Sequence, residues 1–236
     1  MHPCADDVPA VPVPAGPRGL PTYVVLDTSG SMKTFEDLLN DTLTEIVDTL
    51  YASPKVSDFI QLSIISFNTA PHVVLPMTEI SQLNALPTVS CGGATNFSPM
   101  FSLLKERIEQ DLPELSLRGV RPFRPVVFLL TDGSPTDTLP GSWQTTLAAL
   151  VDRGWKPHPN IVTFGFGDAS ETVLGKVSTV AAYMAERGRE HANKEALTSA
   201  RNALLNSLVA SAAAQRLLIP EEVSGFKAVP LDDIDY

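Results

Sequence analysis

Asp27, Ser29 and Ser31 stand at i, i+2 and i+4 in one short turn, Asp27-Thr28-Ser29-Gly30-Ser31. A carboxylate and two hydroxyls at that spacing can converge on a single point. Two further oxygen groups belong to equivalent positions later in the chain: the Thr95 hydroxyl, after Cys91-Gly92-Gly93-Ala94, and the Asp132 carboxylate, in Thr131-Asp132-Gly133. Five hard oxygens with few charges select Mg²⁺, with Mn²⁺ or Ca²⁺ as substitutes, over softer metals. The neutral hydroxyls are expected to bind directly, with one or both aspartates acting through water. A metal with so little anionic ligation stays electrophilic and takes an acidic group from elsewhere as its last ligand.

Groups so far apart in sequence meet only if the fold brings three loops together. Tyr23-Val24-Val25-Leu26 is a buried strand that stops at Asp27. Phe59–Phe67 and Val126–Leu130 read as strands, as do Asn160–Phe166 and, more weakly, Val180–Met184. His72–Leu75 follows so short a turn that it forms a hairpin, which makes one edge strand antiparallel. Between them run helical stripes: Phe35 to Leu50, Phe97 to Leu112, Trp143 to Arg153 and Leu197 to Val209. This alternation predicts an α/β fold, a single doubly wound, mostly parallel sheet with one antiparallel edge strand and helices on both faces. Right-handed crossovers place the ends of the parallel strands on one edge, where such folds bind ligands. All three polar clusters belong to that edge.

The strand followed by Asp27-Thr28-Ser29-Gly30-Ser31, then Gly92-Gly93-Ala94-Thr95, then the strand followed by Thr131-Asp132-Gly133, resembles the von Willebrand factor type A (vWA) domain and its metal-ion-dependent adhesion site (MIDAS). The resemblance covers roughly residues 20–210. It implies a vWA, Rossmann-like fold and carries the family's metal ligands onto Asp27, Ser29, Ser31, Thr95 and Asp132. Leu20-Pro21 and Thr131-Asp132-Gly133-Ser134-Pro135-Thr136-Asp137 are similar to the bacterial TerY type. That type implies a cytoplasmic protein of tellurite-resistance and stress-response clusters, with protein kinase or phosphatase partners.

The expected function is therefore a metal-dependent protein-binding module that recognises a partner's Asp or Glu, with no catalytic residues, no organic cofactor and no enzymatic activity. The alternative is a Mg²⁺-dependent phosphatase or phosphotransferase of the haloacid dehalogenase type, which also places an aspartate after a buried strand. Such an enzyme needs a second acid two positions on, where this chain has Ser29. A scaffold in which the metal only rigidifies loops is a third possibility. Gly-x-Ser-x-Gly and phosphate-loop motifs are absent.

Composition agrees. The chain has 236 residues, 27 acidic against 17 basic, with a formal net charge of −10. This excess disfavours nucleic acid as a partner. No stretch approaches the roughly 20 apolar residues of a membrane span, and no signal peptide is evident at the N-terminus. Cys4 and Cys91 are far apart, and His2, His72, His158 and His191 lack ligand spacing. Residues 1–19 read as a disordered proline-rich leader, 20–212 as the folded domain and 213–236 as an acidic tail. That tail ends Leu231-Asp232-Asp233-Ile234-Asp235-Tyr236 and reads as a solvated acidic end; the alternative is that it competes for the site, or the rim around it, in its own molecule or a neighbour. Asp137 reads as a helix cap or a group supporting the ligands, Asp168 as a cap, Cys91 as a packed residue, and Trp143 and Trp155 as packing residues.

Overall fold

A computed structural model describes residues 16–83, 88–186 and 192–231. The strands are β1 (Arg18–Asp27), β2 (Ile60–Phe67), β3 (Pro71–Glu79), β4 (Arg121–Pro122), β5 (Val126–Thr131), β6 (Asn160–Gly165), β7 (Ala181–Ala185) and β8 (Phe226–Ala228). The helices are α1 (Glu36–Tyr51), α2 (Pro54–Ser57), α3 (Phe97–Leu117), α4 (Ser142–Val151), α5 (Glu171–Val177) and α6 (Ala192–Ala214). They form one sheet in the order β3-β2-β1-β5-β6-β7-β8, with β4 beside the start of β1. β1, β2, β5, β6 and β7 are parallel; β3 is the expected antiparallel edge strand.

Alternation along each central strand divides the core. Val24, Leu26, Phe128, Leu130, Val162 and Phe164 face one side, against Leu39, Leu43 and Ile46 of α1 and Leu197, Leu204 and Leu208 of α6. Tyr23, Val25, Val127, Leu129 and Ile161 face the other, against Phe97, Phe101 and Leu104 of α3 and Leu147 and Leu150 of α4. Strands buried on both faces explain the unbroken apolar runs of β1 and β5. At Gly165 a β-carbon would lie 2.3 Å from Leu174 Cδ1, so glycine is what lets α5 lie against β6.

Three differences from expectation have physical causes. β1 begins at Arg18 rather than Thr22, because Leu20 N–H donates to Phe59 O and Phe123 N–H to Gly19 O. The part of the leader before residue 16 lies outside the described residues, as do Cys4, His2 and His191. The segment after α6, read as tail, folds back as β8 and pairs antiparallel with β7, which gives the sheet a second antiparallel edge strand. Ser207 Oγ and Tyr183 Oη fasten this return to the Leu218 and Pro220 carbonyls. Val209, expected on the inner stripe of α6, is exposed.

Candidate metal centre

The chain leaves β1 toward β2 on one side and reaches β5 on the other, so β1 and β5 flank the point where strand order reverses. In open α/β sheets the ligand crevice lies there, beyond the strands' C-terminal ends. Asp27 is the last residue of β1, and Asp132 follows the last residue of β5. Both carboxylates are buried, at 0% and 5% exposure.

The first turn carries Ser29 and Ser31. Asp27 Oδ1 accepts the Ser29 N–H at 2.9 Å, which closes the turn. Ser29 precedes a 3₁₀ turn (Gly30–Phe35) but makes no side-chain capping bond to it. Its hydroxyl instead lies 3.1 Å from Ser31 Oγ, which donates to Asp132 Oδ1 at 2.8 Å. A chain of hydroxyls thus joins the two loops. Thr95 completes the group from the third loop. A β-carbon on Gly133 would lie 3.4 Å from Thr95 Oγ1 and 3.9 Å from Asp27 Oδ2, so glycine keeps the space between them clear. Asp27, Ser29, Ser31, Thr95 and Asp132 therefore gather at one edge of the sheet.

The electrostatics are one-sided. Burial raises the Asp27 carboxyl above its usual range, partly offset by donors from Ser29 and from Thr131 Oγ1, 2.6 Å from Oδ2. Burial, with the nearby Asp27 charge, pushes Asp132 up to about 6. Among the described residues no lysine, arginine or histidine pairs with either. Two buried carboxylates answered only by neutral donors are destabilised as anions, and a hard divalent cation among five oxygens would remove that penalty. The donor set fits such an ion. Among the described residues, no cluster of three or more His, Cys, Asp or Glu converges; the oxygen groups gathered here are two carboxylates and three hydroxyls.

A shell of contacts holds the loops: the cap expected of Asp137 is among them, and the others were not foreseen. Thr136 Oγ1 accepts the Thr95 N–H and Thr136 N–H donates to Thr95 O, at 2.8 and 2.9 Å. Asp137 accepts the N–H groups of Phe97 and Ser98 at 3.0 and 2.7 Å, so it caps α3 from a loop forty residues away. Glu36 Oε2 accepts the Cys91 N–H at 2.6 Å, and Asn40 brackets the backbone of Val89 with bonds of 2.8 and 3.1 Å. Thr131 and Asp137 were visible in the motif; Glu36 and Asn40 carried no signal, because their partners are 55 and 49 residues away. Asp168 is not a cap: Ser170 caps α5, and the Asp168 N–H donates to Asp132 O. Cys91 is buried, its thiol pushed up to about 11 by burial. Trp143 packs edge-on against Phe97, and Trp155 lies under Lys105 Nζ, 3.9 Å from the ring centre.

The von Willebrand factor type A domain family model matches residues 23–203. No curated protein sequence matches the chain. A von Willebrand factor type A protein from Catenulispora acidiphila superposes with a TM-score of 0.54 at 13% identity, over 78% of this chain and 42% of that one. Proximal thread matrix protein 1 from the mussel byssus, in a structure with a zinc-occupied MIDAS motif, gives 0.54 at 16% identity, over 82% and 48%. The pilus adhesin SpaC from Lactobacillus rhamnosus GG gives 0.61 at 11% identity, over 81% and 30%. The chain thus spans less than half the length of these proteins, and the likeness is one of fold. Domains of this type mediate protein–protein interaction, and a divalent metal occurs at the MIDAS motif within the family. With its model matched over most of the sequence and its sheet built in the same way, the chain belongs to the von Willebrand factor type A domain family.

Proposed function

We propose that this domain is a divalent-metal-dependent protein-binding module whose ligands are Asp27, Ser29, Ser31, Thr95 and Asp132. The observation that carries the proposal is the pair of buried carboxylates at the β1/β5 switch point, joined by serine hydroxyls and, among the described residues, without an ion pair to any cationic side chain. A bound ion supplies an electrophilic position for a carboxylate oxygen. Mg²⁺ is the proposed ion, because all five donors are hard oxygens. The chain's own residues do the rest. Ser31 aligns Asp132, Thr131 and the Ser29 N–H align Asp27, and Thr136 holds Thr95 at its backbone.

The surface around the site suits a protein partner offering Asp or Glu. Leu139, on the loop after Asp137, is 70% exposed. A cleft of about 450 Å³ opens beside Thr28, bordered by Ser66, Asn68, His72 and Val89. No observation favours the haloacid dehalogenase alternative: the position a second acid would need is Ser29, hydrogen-bonded to Ser31. The narrower reading, a cytoplasmic TerY-like protein of bacterial tellurite or stress response with kinase or phosphatase partners, rests on Leu20-Pro21 and Thr131–Asp137. Among the described residues no helix is long and apolar enough to cross a membrane.

β8 runs opposite to β7, so Leu231 emerges at the edge away from the metal centre. Residues 232–236, the acidic end for which competition at the site, in its own molecule or a neighbour, is the alternative reading, lie outside the described residues.

A pull-down in Mg²⁺ buffer, repeated with chelator and with Asp27→Ala, tests the function. A partner retained only by the metal-loaded wild type, and lost when its contacting Asp or Glu becomes the amide, supports it. Retention unaffected by chelator and by Asp27→Ala refutes it.

A further inference from the structure

The edge of the sheet opposite the metal centre has the opposite electrical character. The loops entering the parallel strands there each carry a cation: Arg18 on β1, Lys55 before β2, Arg124 before β5, Lys156 before β6 and Lys176 before β7. On the metal edge, among the described residues, the corresponding loops give Asp27, Asp132, Asp137, Asp168 and Glu186, and Lys33 there is tied to Glu36.

The cations concentrate where α3 ends and β4 begins. Arg18 and Arg121 are register partners on adjacent strands, which sets their backbones about 5 Å apart. Arg118 ends α3 and Arg124 lies on the bend before β5. All four are exposed, and among the described residues none forms an ion pair, not even with Glu114, one helical turn before Arg118. The Arg18 guanidinium stacks over Phe123, 5.2 Å from its ring centre, which fixes one donor fork in place. Beside them Leu117 is 88% exposed.

We infer that this patch is a second docking surface, for a short acidic segment of a partner protein that also carries an apolar residue for Leu117. Arginine forks match carboxylates bidentately. The shortness of the segment follows from the remainder of the molecule. The net charge is −10, and Asp37, Asp41 and Asp48 line the outer face of α1. A long polyanion or an extended anionic surface would run past the patch into that field. A short segment stays within a Debye length, about 8 Å at physiological salt, of the arginines. The domain would then hold an acidic side chain through metal at one end and an acidic segment through arginine at the other.

The probe is a fluorescein-labelled dodecapeptide of glutamate and leucine, titrated into the full chain by anisotropy in chelator, so that the metal centre takes no part. Saturable binding is expected, weakening as salt rises. It should fall at least about tenfold in Arg118→Glu/Arg121→Glu/Arg124→Glu, and about threefold in the matching glutamine variant. The glutamine variant keeps the side-chain length and decides the matter if the charge-reversed chain fails to fold. The metal-induced rise in Tm should be unchanged in both. Absence of binding by the wild type, equal binding by the variants, or equally tight binding of phosphatidylserine vesicles or duplex DNA would overturn the proposal. So would salt-dependent self-association of the wild type in place of peptide binding.

Discussion

Two groups of buried carboxylates lie along β1, and the chain treats them differently. Midway along the strand, Tyr23 donates to Asp111 Oδ2 at 2.9 Å and the Arg107 guanidinium pairs with Oδ1. At the strand's end, among the described residues, Asp27 and Asp132 receive only hydroxyls and backbone N–H groups. Burial raises all three carboxyls. In the first group the protein supplies the compensating cation, although Arg107 Nε finds no partner among the described residues. In the second, among the described residues, it supplies only neutral donors, and on the proposed function the cation comes from solution. A buried acid with its own arginine is a packing device; two buried acids without one are a receptor for positive charge.

The largest effect expected from this contrast is at the first group. Asp111→Ala strands Arg107 and the Tyr23 hydroxyl, and should cost about 3 kcal/mol of stability, the scale for removing one partner of a buried pair. Denaturant unfolding should show the same loss with chelator or with Mg²⁺. At the second group the sign reverses. Asp132→Asn keeps an acceptor for Ser31 and removes a buried charge, so in chelator it should leave Tm unchanged or raise it. The rise in Tm that Mg²⁺ gives the wild type should disappear. A loss of stability in chelator comparable with that of Asp111→Ala would erase the distinction.

The pH dependence sharpens it. The folded Asp132 carboxyl titrates near 6, above its ordinary value of 3.8. Its charge therefore penalises the metal-free fold fully above pH 6, and protonation relieves that penalty as pH falls toward 4. In chelator, any Tm advantage of Asp132→Asn over the wild type should shrink between pH 7.5 and 4.5. An advantage that grows over that range would contradict the assignment. The smallest effect concerns the cross-loop cap. Asp137→Ala frees two N–H groups at the start of α3 and should cost about 1 kcal/mol. It should also weaken Mg²⁺ binding a few-fold, since the backbone just after Thr95 loses its hold at Phe97 and Ser98, whereas an ordinary cap mutation on α5, Ser170→Ala, should leave that affinity alone.

These contrasts also mark what was legible in the residues. The β1 and β5 runs, the helical stripes and the three loops were readable because each is a local pattern: apolar alternation or a polar cluster at a strand end. Asp111, by contrast, lies in an ordinary helical stretch, and its partner Tyr23 is 88 residues away. β8 is three residues long with only Phe226 buried, so it has no period to detect and exists through its pairing with β7. α5 is seven residues long, too short for a helical stripe to show in the sequence, though Ser170 caps it. The donor set of the metal centre was readable, but the absence of a cation beside it was not, because that depends on what the whole fold packs nearby.

The central claim is that the β1/β5 edge holds a divalent cation, and calorimetric titration of Mg²⁺ into chelator-stripped protein tests it most directly, with Mn²⁺, Ca²⁺ and Zn²⁺ in parallel. The expected result is one saturable site per chain for Mg²⁺ or Mn²⁺, abolished in Asp27→Asn and weakened in Ser29→Ala and Ser31→Ala variants that remain folded. Absence of binding for all four ions, or undiminished binding by Asp27→Asn, would contradict it.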